Sequence, residues 1–151
     1  MSMDWQAQYD KIYRYCYHRL RHRELAEDIT QEAFLRLYAA EGYRDTGKAI
    51  RYLYTVARNL CIDEYRRRKT ESLAEDLPAP DTEPARLDAL DLHDALNTLT
   101  TEERELILMR YVNFEPVSVI ADVMGSSRFA VYRRTTAILS KLRQILKEDE
   151  P

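Results

Sequence analysis

Glycine is scarce in this sequence: three residues in 151, at Gly42, Gly47 and Gly125. A chain so poor in the residue that makes tight hairpins is not built from many short strands. No apolar run approaches the ~20 residues a membrane-spanning helix needs, and Met1 to Asp4 have no signal-peptide character. Membrane insertion is therefore not expected. Two cysteines, Cys16 and Cys61, make no disulfide framework and read as reduced, buried thiols of a cytoplasmic protein. There is no glycine-rich phosphate loop and no nucleophile paired with a base, so neither an enzyme nor a cofactor is implied. A surplus of positive charge is missing too: 23 Lys+Arg face 26 Asp+Glu, a net of −3. That total argues against binding nucleic acid by bulk charge.

The distribution of charge changes the reading. Residues 1–70 carry 14 Lys+Arg against 10 Asp+Glu, and residues 71–90 carry one Arg against six acids. From Gly125 to Lys147 there are six cations and no acid. Two basic surfaces are thus separated by an acidic segment. That segment, "KTESLAEDLPAPDTEPARLDAL", contains Pro78, Pro80 and Pro84, which forbid a continuous helix, and its acids keep it solvated. About 18 such residues reach ~60 Å when stretched and ~25 Å when relaxed. An apolar content of 45% is enough for small cores on either side. The expected organisation is a helical domain over 1–69, a linker over 70–86 and a second helical domain over 87–151.

Apolar residues recur at intervals of three and four, the period of helices packed on one side. In the first pattern Trp5, Tyr9, Ile12, Tyr13, Cys16 and Leu20 share a stripe. In the second, from about Glu24 to Ala40, Leu25, Ile29, Ala33, Leu37 and Ala40 form one face. A second, mixed face carries Glu24, Asp28, Gln31, Leu35 and Tyr38. In the third, Leu53, Val56, Ala57, Leu60 and Cys61 are the core stripe. At 100° per residue the opposite face holds Arg51, Thr55, Arg58, Asn59, Ile62 and Arg66. This helix then ends on Arg66, Arg67, Arg68 and Lys69, more cations than its dipole requires. A solvated charged face is the plain reading; a phosphate-tracking face is the functional one. Nearby Tyr43, Tyr52 and Tyr54 are candidates to stack on unpaired bases, or to belong to the core.

In the second domain, "TTEERELILMRY" offers Thr100 as an N-cap with Glu103 at capping-box spacing, and Pro116 opens the next helix. Ala121, Gly125 and Val131 in "VSVIADVMGSSRFAVYRR" have helix-turn-helix spacing: a small residue, a turn glycine and an apolar anchor. Val131, Thr135, Ile138, Leu142 and Ile145 line the inner side of the last helix. Its outer N-terminal residues are Phe129, Arg133 and Thr136, flanked by Arg128, Tyr132 and Arg134. Such residues meet guanine edges, phosphates and thymine methyls in a major groove. An ordinary helical hairpin is the alternative. Cys16, His18 and His22 lie within two helical turns, but Cys16 is on the core stripe and no fourth ligand is evident, so no metal is expected.

Taken in order, these motifs resemble the extracytoplasmic-function group of bacterial sigma factors over nearly the whole chain. "AEDITQEAFLRLY" looks like that family's polymerase-binding helix, and "IRYLYTVARNLCIDEYRRRK" resembles its −10 promoter-reading helix. "LTTEERELILMRY" with the helix-turn-helix resembles its −35-reading domain. The resemblance implies an all-α protein of two small domains joined by a flexible acidic linker. It would be a promoter-specificity subunit that binds core RNA polymerase and promoter DNA, with an anti-sigma factor as a further partner and no stable homo-oligomer. Polymerase would meet Asp28, Gln31, Glu32, Leu35 and Tyr38. The −10 element would meet Arg51, Thr55, Arg58, Asn59 and Arg66, with Tyr43 and Arg44 (beside Asp45) at an unpaired base. The −35 element would meet Arg128, Phe129, Tyr132, Arg133, Arg134 and Thr136.

The chain departs from the family pattern at Tyr52, usually Trp, and in the recognition helix at Ala130 and Tyr132. Ser118 and Val119 replace a usual Glu pair, and Ala137, Ile138 and Leu139 a more basic run. The added apolar surface of Phe114, Val117, Val119 and Leu139 either deepens the second core or meets a partner. Two other classes remain open: a free-standing helix-turn-helix regulator, and a sigma-like interaction protein.

Overall fold

The protein's structure, a computed structural model, describes residues 4–40, 48–71 and 90–148, with side chains from Asp94 in the last segment. Among the described residues every regular element is helical. The chain divides into two compact units, Met1–Thr82 and Glu83–Pro151.

Unit 1 is three mutually packed helices: α1 (Trp5–Leu20), α2 (Arg23–Ala39) and α3 (Lys48–Glu71). Asp4 caps α1, its carboxylate accepting from the Ala7 amide at 3.1 Å. Arg21 ends that helix in the left-handed conformation, φ 54°. The next residue, His22, caps α2, its Nδ1 accepting from the Leu25 amide at 3.2 Å. The chain therefore reverses between two helices within two residues.

The expected stripes point inward: Ile12, Cys16 and Leu20, then Ile29, Ala33 and Leu37, then Leu53, Ala57 and Cys61 are all buried. Ala26, Ala33, Ala49 and Ala57 keep the helix contacts thin, which brings the backbones close. Between them sits an unforeseen pair. Tyr15 and Tyr54 are fully buried, their rings edge to face at 5.5 Å. Such a pair adds about 0.5–1.5 kcal/mol to what its burial contributes. Two core assignments need correction. Ala40 is the exposed C-cap of α2, and Trp5 is partly exposed at the start of α1, its ring roughly perpendicular to that of Phe34 with centroids 6.0 Å apart.

The cations ending α3 have different employments. Arg68 reaches back to the Leu20 carbonyl at 3.4 Å and so satisfies the C-terminus of α1. Arg67 is clamped by Glu64 on one side and Glu71 on the other. Arg66 and Lys69 are exposed.

Unit 2 contains α4 (Leu90–Asn97), α5 (Thr101–Ile107), α6 (Val117–Met124) and α7 (Arg128–Glu148). The expected capping box is complete: the Thr100 hydroxyl accepts from the Glu103 amide at 3.1 Å, and Glu103 accepts from the Thr100 amide at 2.8 Å. These bonds, with Lys141 at 3.5 Å, hold the Glu103 carboxyl below its ordinary range, the bond from the Thr100 amide contributing most. α5 runs into a π-helical turn, Leu108–Val112, closed by the Asn113 amide on the Leu108 carbonyl at 2.9 Å. Pro116 caps α6, one position before the first turn. Gly125 ends α6 at φ 64°. A Cβ there would meet nothing within 4 Å, so the left-handed backbone is what calls for glycine. Ala121 and Val131 are buried on either side of the turn, as a helix-turn-helix needs.

Val117 and Val119 are core residues of this unit, which accounts for part of its apolar excess. Phe114 is not: it is 79% exposed, at φ 56°. A side chain that is both strained and unburied gives a direct test. Phe114→Gly is expected to raise stability by about 1 kcal/mol in denaturant unfolding, because glycine relieves the left-handed strain. A loss would show that the ring contributes packing.

The Glu103 contribution is present above the ordinary glutamate range and is lost as pH falls through its depressed folded value. Glu103→Ala should cost about 1 kcal/mol at neutral pH and less in acid as the carboxylate protonates. Thr100→Ala, which keeps the amide that Glu103 accepts from, should cost about 1 kcal/mol with little dependence on pH. Thermal melts against pH read both. In the same melts Arg68→Ala should destabilise unit 1 by about 1 kcal/mol, whereas Arg66→Ala should leave it unchanged.

Candidate nucleic-acid interface

α3 is long because its sequence has no breaker between Lys48 and Glu71 and alternates core and polar turns. Its inner stripe is pinned by Leu53, Tyr54, Ala57 and Cys61, so its orientation about its own axis is set. On the outward side Thr55, Asn59 and Arg66 are exposed, and Arg51, Arg58 and Ile62 are half-buried. The sequence pattern brought these six onto one face, and the structure keeps them there. Tyr43, Arg44 and Asp45 lie outside the described residues.

The aromatic candidates separate. Tyr54 is fully buried in the core, its ring packed against that of Tyr15, and offers no ring to a base. Tyr52 is partly exposed, its hydroxyl 3.5 Å from the Arg36 carbonyl near the end of α2. Tyr65, unremarked in the sequence, is 61% exposed. Its position seven residues after Arg58 places it on the flank of the same face, a signal the helical period did contain. Of the terminal cations, Arg67 is held by two carboxylates and Arg68 by the α1 carbonyl, so they do not extend this face as the run of four suggested. A guanidinium already engaged by carboxylates has less to give a phosphate.

On α2, Ala26, Ile29, Thr30, Ala33 and Leu37 are buried, which turns Asp28, Gln31, Glu32, Leu35 and Tyr38 to solvent. Leu35 and Tyr38 are 64% and 71% exposed, much apolar surface for side chains that contribute nothing to the core. Glu32 pairs with Arg36 at 3.0 Å along the helix. Beside this face runs a groove of about 700 Å³, lined by Trp5, Tyr9, Gln31, Phe34, Leu35 and Tyr38. Tyr9 and Phe34 meet at 5.7 Å, giving it an aromatic floor.

At α7 Ser127 caps the helix, its Oγ accepting from the Ala130 amide at 3.0 Å. Arg128, Phe129, Tyr132, Arg133, Arg134 and Thr136 are all exposed, while Val131 and Ile138 are buried on the other side. They do not form one cluster. The Arg133 guanidinium lies over the Phe129 ring, 5.6 Å from its centroid. Arg134 stands on the flank, lining a groove of about 280 Å³ with Thr100, Glu103, Leu106 and Met124. The Thr136 hydroxyl donates to the Tyr132 carbonyl at 3.0 Å, leaving only lone pairs for a ligand.

The His22 Nδ1 accepts from the Leu25 amide, and Cys16 is buried. Among the described residues no group of three His, Cys, Asp or Glu is placed to hold a metal, and no helix is long and apolar enough to cross a membrane.

Comparison with known proteins accounts for this arrangement. The sigma-70 region 2 family model matches residues 5–71, which is unit 1 from the start of α1 to the end of α3. The sigma-70 region 4 model matches residues 95–144, which includes the helix-turn-helix. The sequence is 32% identical to the ECF RNA polymerase sigma factor SigL of Mycobacterium tuberculosis, over 91% of this chain and 83% of that one. It is 30% identical to the ECF RNA polymerase sigma factor BldN of Streptomyces coelicolor, covering 93% of this chain but 58% of the longer relative. The fold is similar to that of the sigma factor RpoE of Bartonella quintana, solved in complex with the anti-sigma factor NepR. There the TM-score is 0.73 at 22% identity, over 95% of this chain and 94% of that one. Sigma factors are initiation factors and not enzymes. The chain belongs to the sigma-70 family of RNA polymerase sigma factors, in its ECF, or extracytoplasmic-function, group.

Proposed function

We propose that the chain is a promoter-specificity subunit whose three outward surfaces divide the work. The exposed face of α2, with Asp28, Gln31, Glu32, Leu35 and Tyr38, docks on core RNA polymerase. The outer face of α3, with Arg51, Thr55, Arg58, Asn59 and Arg66, holds the −10 element. Tyr43 and Arg44 take an unpaired base in the preceding segment. The outer start of α7, with Arg128, Phe129, Tyr132, Arg133, Arg134 and Thr136, meets the −35 element. The functional regions are residues 1–69 and 87–151, with 70–86 as the tether between them.

The observation that carries this reading is the division of unit 1 into two outward faces of different chemistry. The α2 face combines exposed Leu35 and Tyr38 with carboxylates, the composition of a protein-docking surface. The α3 face carries guanidinium, amide and hydroxyl groups with no exposed carboxylate among its six residues, the composition of a nucleic-acid surface. With a net charge of −3, long-range attraction to DNA is small, so polymerase assembly delivers the chain to the promoter. The chain then acts where polymerase and DNA are, in the cytoplasm. The RpoE complex supports an anti-sigma factor as a further partner here.

Transcription in vitro with bacterial core polymerase, on promoters selected from a genomic library, tests the assignment. The chain should support transcripts from a defined motif. Arg58→Ala with Asn59→Ala should abolish them while core binding persists. Leu35→Ala with Tyr38→Ala should weaken core binding about tenfold or more, with the fold intact. If the chain bound no core polymerase yet bound duplex DNA alone, it would be a free-standing regulator. Binding to neither would leave an interaction protein.

A further inference from the structure

One side-chain pair at the outer start of α7 differs from the rest of the basic surface. Arg133 lies over Phe129, four residues and about one turn earlier. Side chains on a helix lean toward its N-terminus, so Arg133 folds back onto the ring. Phe129 is 73% exposed, and its burial contributes little to the domain. Among the described residues Arg133 has no carboxylate partner; the ring takes that place.

The substitution matters chemically. A carboxylate would orient the guanidinium but also neutralise it and occupy its N–H groups. An aromatic face orients it through the ring quadrupole, leaving both the charge and the in-plane donors available. The arrangement limits the freedom lost on binding without competing for the ligand. Ser127 keeps the first turn of the helix closed beneath the pair, and the Thr136 hydroxyl is turned to its own backbone and does not compete as a donor.

Resting on the reading of α7 as the duplex-reading helix, we propose that Phe129 and Arg133 act as one specificity unit for a guanine beside a thymine. Arg133 donates to O6 and N7 of the guanine in the major groove. Phe129 holds the guanidinium against one face and packs the thymine methyl against the other. Arg128, Tyr132 and Arg134 contact the flanking backbone and contribute affinity with little sequence preference.

The test uses the full chain with core polymerase. Promoters with a randomised −35 region are selected by transcription. The best is then remade with 7-deazaguanine, which lacks N7, or with uracil, which lacks the methyl. The selected element should contain a guanine next to a thymine, and 7-deazaguanine should lower output about fivefold or more. Arg133→Ala should remove the guanine response and keep the methyl response. Phe129→Leu should keep the methyl response but weaken guanine discrimination about two- to fivefold. Phe129→Ala should weaken both. Both residues are exposed, so melting curves should match the parent. Unchanged guanine discrimination in Phe129→Leu, or an element lacking the guanine–thymine step, would overturn the pair while promoter function stands. No transcription by the parent chain from any promoter would overturn both.

Discussion

The buried contact between Tyr15 and Tyr54 is the constraint on which unit 1 depends. Two large rings meeting edge to face leave α1 and α3 little freedom to rotate about their axes. Once α3 is oriented, Arg58 and Asn59 have one direction to point. α2 is then fitted against the pair by small residues, Ala26 and Ala33, with Thr30 donating its hydroxyl to the Ala26 carbonyl at 2.6 Å. That placement turns Leu35 and Tyr38 outward. Two surfaces of opposite character are thus fixed by one core, which sets the direction of the groups proposed to meet partners.

Unit 2 reaches the same end by local devices. A capping box starts α5, a left-handed glycine ends α6, and Ser127 starts α7. Each satisfies backbone groups at a helix end, where a short helix is least stable. What they position is the start of α7, whose outer residues are the proposed −35 contacts. The acidic character of the chain as a whole does not oppose this, since the exposed residues of the first two turns of that helix carry three arginines and no carboxylate.

Much of this was legible in the sequence because the information was periodic or local. The stripes of α1, α2 and α3 follow from spacing, as do the outward α3 face, the capping box and the Ala121–Gly125–Val131 turn. The exceptions are contacts between residues far apart. Nothing near Tyr54 announces that Tyr15 awaits it 39 positions earlier, so it read equally as a stacking aromatic. Arg68 looked like one more cation until the Leu20 carbonyl appeared beside it, and Arg67 is claimed by its own helix through Glu64 and Glu71. The groove between Trp5, Tyr9 and Phe34 needed the pairing of α1 with α2. Tyr65 is different: the helical period alone places it on the flank of the outward α3 face.

The central claim is that unit 1 presents one face to polymerase and another to promoter DNA. Photo-crosslinking in the assembled promoter complex tests it most directly, with a photoreactive amino acid placed singly at Leu35 or at Asn59. The account predicts that position 35 crosslinks to a polymerase subunit and position 59 to promoter DNA, each with little of the other product. DNA crosslinks from position 35, or only protein crosslinks from position 59, would contradict it.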